Sequence, residues 1–150
     1  MQNLFDRLPR NVLEDVFWAF RGNRFDDHAE FTTQVREYQR RIRGEDSWRP
    51  DETVMPAPRV RVEYFGIASA DDDEYQDFTL DLVADDGRAF TAGELLLKLH
   101  NEVVERLRDT DHQYFEGLEL QRSRGPQDMP VYRMPRAAEE AGHGNDVRSA

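Results

Sequence analysis

A third of this 150-residue chain is charged (34%) and the formal net charge is −11, yet nine Phe, five Tyr and two Trp are too many aromatics for a disordered chain. The lack of any cysteine excludes a disulfide framework, a thiolate metal site and a thiol nucleophile. No apolar run approaches the roughly 20 residues that span a bilayer, and the start lacks a signal peptide's apolar core. A cytoplasmic protein with no membrane partner is therefore expected.

The predicted elements begin with a helix over residues 3–20, interrupted near Pro9. Val12, Leu13, Val16, Phe17 and Phe20 share one side of it, Trp18 is displaced, and Gly22 and Asn23 stop it. Asp26 or Asp27 caps a second helix to about Arg43, along which Phe31, Val35, Tyr38 and Ile42 step by four, three and four; Gly44 ends it. The two are expected to form an antiparallel helical pair. Residues 45–58 hold Trp48, Pro50, Pro56 and Pro58 and read as an ordered connection that covers part of a sheet or a partner surface. Val60, Val62 and Tyr64 then alternate with Arg59, Arg61 and Glu63, which is a strand pattern. After a loop at 71–74, Phe78, Leu80 and Leu82 alternate with Thr79 and Asp81 in a second strand. Asp85, Asp86 and Gly87 are a turn signal, and 88–90 reads as a short third strand.

The most legible element is a helix over 91–109. Thr91 and Glu94 have the spacing of a capping box, in which each side chain accepts from the other residue's backbone N–H. Leu96, Leu99, His100, Val103 and Leu107 recur on one side, and Leu95, Leu97 and Val104 widen the apolar band. Strands are expected over 114–121 and 131–134, followed by a flexible tail over 136–150. The expected fold is a single α+β domain over 1–135. It comprises an N-terminal helical pair, then a mainly antiparallel sheet of four to five strands in the order β-β-β-α-β-β. One long helix packs on that sheet.

Charge is unevenly placed along the chain. Ten acidic residues between Glu63 and Glu94 face only Arg88, so this stretch carries −9 of the −11. Such a field repels nucleic acid and speeds encounter with a basic partner. The run Asp71, Asp72, Asp73, Glu74 lacks the alternating ligands and glycine of a calcium loop, and reads as a solvated or partner-contacting hairpin loop. His100, Asp111 and His112 could serve a metal or acid–base chemistry if they converge. His100 also fits a core position, and His112 a helix-dipole contact. No nucleophile elbow, phosphate loop, zincin motif or dinucleotide fingerprint is present, so the chain reads as a non-enzyme with no cofactor. Among Trp18, Phe25, Trp48, Tyr64, Phe65, Tyr75, Tyr114 and Phe115, the pair Phe65 and Tyr75 falls opposite the core-facing strand residues or near loop ends. These two are interface anchors unless the helical pair covers that face.

Phe90, Thr91, Glu94, Leu95, Leu96, His100 and Asn101, followed by Asp111, His112, Phe115, Glu116, Gly117 and Leu118, lie in a run over 85–120. That run resembles segments of small acidic immunity proteins encoded beside bacterial polymorphic and contact-dependent toxins. The resemblance implies a non-enzymatic protein that binds and occludes a cognate toxin, and a net charge of −11 suits a basic one. The partner-binding residues expected on this reading are Phe65, Asp71, Asp72, Asp73, Glu74, Tyr75, Asp77, Asp81, Asp85 and Asp86. An acidic secretion chaperone that holds an effector, and a small metal-dependent enzyme using His100, Asp111 and His112, are the alternatives.

Overall fold

The computed structural model describes residues 8–44, 48–69, 74–107 and 113–135. The predicted tail at 136–150 lies outside them. The chain is α+β, with two helices and a mixed five-stranded sheet. In chain order the strands are β1 (Asn11–Val12), β2 (Trp18–Ala19), β3 (Thr53–Met55), β4 (Arg59–Ser69), β5 (Glu74–Val83), β6 (Phe90–Thr91), β7 (Tyr114–Phe115), β8 (Leu118–Arg122) and β9 (Val131–Arg133). Helix α1 (His28–Arg43) follows β2, and α2 (Ala92–Leu107) follows β6. The main sheet has the order β1-β8-β9-β4-β5, antiparallel throughout except for β4 with β9. Two short ribbons, β2–β7 and β3–β6, complete the pairing.

The expected N-terminal helical pair is absent, and only its second member forms. Residues 11–20 are extended because their backbone groups find partners far along the chain. Val12 pairs with Leu118 and Trp18 with Phe115, while Arg10 C=O accepts from Leu120 N–H at 2.8 Å and Phe20 N–H donates to Gln113 C=O at 2.8 Å. Leu13, at φ 58°, turns the chain between the two strands. Side chains continue the pairing where strands stop. The Gln39 amide on α1 accepts from Phe17 N–H at 3.0 Å and donates to Phe17 C=O, and the Asn101 amide on α2 accepts from Phe25 N–H and donates to its C=O at 2.8 and 2.9 Å. An apolar helical stripe in the sequence is thus shared between two sheets.

Helix α1 starts where Asp27 accepts from Ala29 and Glu30 N–H, and ends at Gly44 in the left-handed region, whose N–H returns to Arg40 C=O. It buries Phe31, Val35 and Gln39, whereas Ile42 is 49% exposed. At α2 the capping box is half formed. Thr91 Oγ1 accepts from Glu94 N–H at 3.2 Å, but the Glu94 carboxylate turns to Asp85 N–H and Lys98 instead. The first N–H groups of α2 donate to Glu52 and Pro50 C=O. That approach is close at Gly93, where a Cβ would meet Pro50 and His28 at 3.1–3.2 Å and these neighbours would have to give by a few tenths of an ångström. The strand expected over 114–121 is broken into β7 and β8 by Gly117 at φ 100°. Residues 45–58 hold the unexpected β3, and β6 pairs with it rather than with β5.

The stripe of α2 predicted to face inward does so: Leu95, Leu96, Leu99, His100, Val103, Val104 and Leu107 are buried, and its apolar members share one core with Val60, Val62 and Tyr64 of β4. Leu99→Ala should therefore cost about 2–4 kcal/mol by leaving a cavity, against under about 0.5 kcal/mol for Val83→Ala at a 54% exposed position. Denaturant unfolding of the two variants checks this. Equal small losses would place the core elsewhere.

Candidate partner-binding face

Alternation along β4 sends Val60, Val62 and Tyr64 under α2, and Arg59, Arg61, Glu63, Phe65 and Ile67 to the opposite face. On β5 the residues sharing that opposite face are Tyr75, Asp77, Thr79, Asp81 and Val83, and on β9 they are Val131 and Arg133. Helix α2 packs on the β4 core side, and α1 packs on α2 and β2. Neither α1 nor α2 covers the second face; at its β9 end the short helical turn at 126–128 does, where Arg59 donates to Gln127 Oε1 at 3.0 Å and Val131 is fully buried. The arrangement in which the helical pair would bury Phe65 and Tyr75 does not occur.

This face is crossed by cross-strand ion pairs. Arg61 holds its register partner Asp81 through Nε and Nη2 of the guanidinium, at 2.7 and 3.1 Å. Arg133 donates to Asp77 at 2.8 Å and lies 3.7 Å from Glu63, which Arg122 approaches from β8 at 4.0 Å. The Arg61 hydrogen bond holds the Asp81 carboxyl below the usual carboxylate range. Part of the −9 that this stretch carries in sequence is therefore paired here, at Glu63, Asp77 and Asp81. Arg61, Arg122 and Arg133, all outside residues 63–94, lie among its carboxylates. The signal for this was legible in the strand 59–63 itself, where Arg59, Arg61 and Glu63 must share one face.

The remaining expected contact residues divide into three groups. Phe65 and Tyr75, diagonal neighbours across the β4–β5 ribbon, stack at 5.5 Å with planes 15° apart, both half-buried, and Glu74 is exposed beside them. Asp85 and Asp86 shape the turn before β6. Asp85 pairs with Lys98 at 2.8 Å, and Asp86 accepts from Ala89 and Arg88 N–H, bonds that lower its pKa. Asp71, Asp72 and Asp73 lie outside the described residues.

His100, the possible acid–base group, is wholly buried among Trp18, Phe20, Phe25 and Phe31, with ring centroids 5.2–5.8 Å away. Trp18 Nε1, which can only donate, lies 3.1 Å from His100 Nδ1. Nδ1 must then be the acceptor, and Nε2 carries the proton and donates to Asn23 C=O at 3.0 Å. Both ring nitrogens are committed to holding the N-terminal segment. Asp111 and His112 lie outside the described residues, and among those described no group of three or more His, Asp or Glu could hold a metal ion. No described helix is long and apolar enough to cross a membrane. Comparisons with protein families, curated proteins and solved structures return no match.

Burial holds the His100 pKa below its ordinary 6.5, opposed by the Asn23 hydrogen bond. A folded-state pKa below the unfolded one gives stability that is complete above about pH 6.5 and is lost as pH falls from there through the folded value. Unfolding free energy should fall between pH 7 and 5 with a slope of up to about 1.4 kcal/mol per pH unit for this one proton. Guanidinium titrations at stepped pH check it, and a flat profile would mean that the imidazole is not buried neutral.

Proposed function

We propose that this chain is a non-enzymatic, cytoplasmic immunity protein that binds and neutralises a cognate toxin through the open face of its sheet. The observation that carries the reading is the Phe65–Tyr75 stack on a face that neither α1 nor α2 covers, bordered by the Arg61–Asp81 and Arg133–Asp77 pairs. Aromatic anchors surrounded by polar groups concentrate binding energy, because the surround excludes water from the anchor. The ion pairs also present both signs at defined positions, which favours one partner over others more than it adds affinity. A net charge of −11 steers a basic toxin toward the protein. Recognition thus divides into long-range attraction from the whole chain and short-range fit from one face.

The test is to purify the product of the adjacent gene and measure association and dissociation at two salt concentrations. Phe65→Ala or Tyr75→Ala should each speed dissociation about tenfold or more, as truncating a central anchor does. Raising salt from about 50 to 500 mM should slow association while leaving dissociation nearly unchanged. Growth protection against the toxin in cells should fail in the double variant. An absence of binding, or kinetics indifferent to both substitutions, would contradict the reading; capture of a secreted effector without neutralisation would instead favour a chaperone.

A further inference from the structure

Away from the open face, the surface between α1 and the β2–β7 ribbon reverses the character of the chain. An apolar cavity of about 280 Å³ is lined there by Phe17, Trp18, Tyr38, Ile42, Tyr114 and Phe115, with Glu116 at its border. Ile42 is one of the two large apolar side chains most exposed among the described residues. Three of the lining rings carry a guanidinium over them: Arg43 on Phe17, Arg41 on Tyr38 and Arg21 on Tyr114, at 5.3–5.5 Å. In a protein of net charge −11, the apolar groove is rimmed by three arginines.

Two of these charges have no acidic partner among the described residues. Arg21 donates to Gln113 Oε1 and Tyr114 OH, both neutral, and Arg41 lies over the Tyr38 ring. The carboxyl end of α1 contributes about −0.5 of an elementary charge, which the arginines of its last turn, Arg40, Arg41 and Arg43, outweigh. Stacked guanidinium planes stay pre-organised for bidentate carboxylate recognition, and they lose little water when an acidic chain approaches.

We infer that this groove docks an acidic protein segment carrying one bulky apolar side chain, which enters the cavity while flanking carboxylates meet Arg21 and Arg41. Charge complementarity sets the occupant. A basic segment would meet the arginines, whereas the rest of this acidic chain repels an acidic segment and confines it to this rim. The inference does not rest on the toxin reading, which concerns the Phe65–Tyr75 face of the main sheet.

A fluorescein-labelled twelve-residue peptide of Glu and Ser with one central Phe, titrated with the full chain in about 50 mM salt, tests it by anisotropy. Saturable binding is expected, weakened about tenfold or more when the Phe becomes Ala, when Glu becomes Gln, or in Arg41→Glu or Ile42→Asp. Both substitutions are at exposed positions, and circular dichroism verifies their folds. Absence of saturable binding, equal binding of the Ala peptide, or an affinity unmoved by either substitution in a folded variant would overturn the inference. Concentration-dependent dimerisation abolished by Ile42→Asp would overturn it too, by assigning the groove to a second copy.

Discussion

The amide of Gln39 holds both the N–H and the C=O of Phe17, and the aromatic half of the molecule depends on this use of a side chain in place of a strand. Asn101 does the same for Phe25, and between them His100 accepts the Trp18 indole N–H at Nδ1 and donates its Nε2–H to Asn23 C=O. Three polar side chains from two helices thus hold one extended segment. Each hydrogen bond contributes only about 1 kcal/mol net, but a buried amide left without its partner costs about 1–3 kcal/mol. The clamp therefore works chiefly by making every other position of the segment expensive.

Competition with a local helix is decided by burial. Helix propensity separates ordinary residues by no more than about 0.7 kcal/mol each, whereas fully burying a Phe-sized side chain is worth about 1.5–3 kcal/mol. In the extended form Trp18 and Phe20 are both buried, meeting Phe31, Phe115 and His100 edge-on or tilted. Phe17, left at the margin, becomes a wall of the arginine-rimmed groove. Because residues 11–20 are spent on this side and on the β1 edge, they add no helix to the Phe65–Tyr75 face, and neither α1 nor α2 covers it. Both candidate binding surfaces follow from where that one segment goes.

What the sequence made legible was local. The apolar periodicity of α2, the Asp27 and Gly44 caps of α1 and the alternation in β4 and β5 all rest on residues close in sequence, and all appear in the structure. The misreadings share one cause. Val12, Phe17 and Phe20 have helical spacing, but their backbone partners lie 22 to about 100 residues away, and nothing local distinguishes a Gln or Asn that bonds to backbone from one in solvent. The parallel pairing of β4 with β9 is equally non-local. Charge pairing is non-local too: a sum along 63–94 does not show the arginines that meet Asp81, Glu63 and Asp77 from β4, β8 and β9. His100 was correctly placed on the apolar side of its helix, but its tautomer depends on an indole 82 residues away.

The central claim is that this clamp, not a helix, organises the N-terminal segment, and the imidazole reports on it directly. A histidine-selective ¹⁵N spectrum of the folded protein at neutral pH is expected to show His100 as the neutral Nε2–H tautomer. Its Nδ1 should be unprotonated and coupled across the hydrogen bond to the Trp18 indole. An Nδ1–H tautomer, or an imidazolium at neutral pH, would contradict the account, because neither leaves a lone pair for Trp18 to meet.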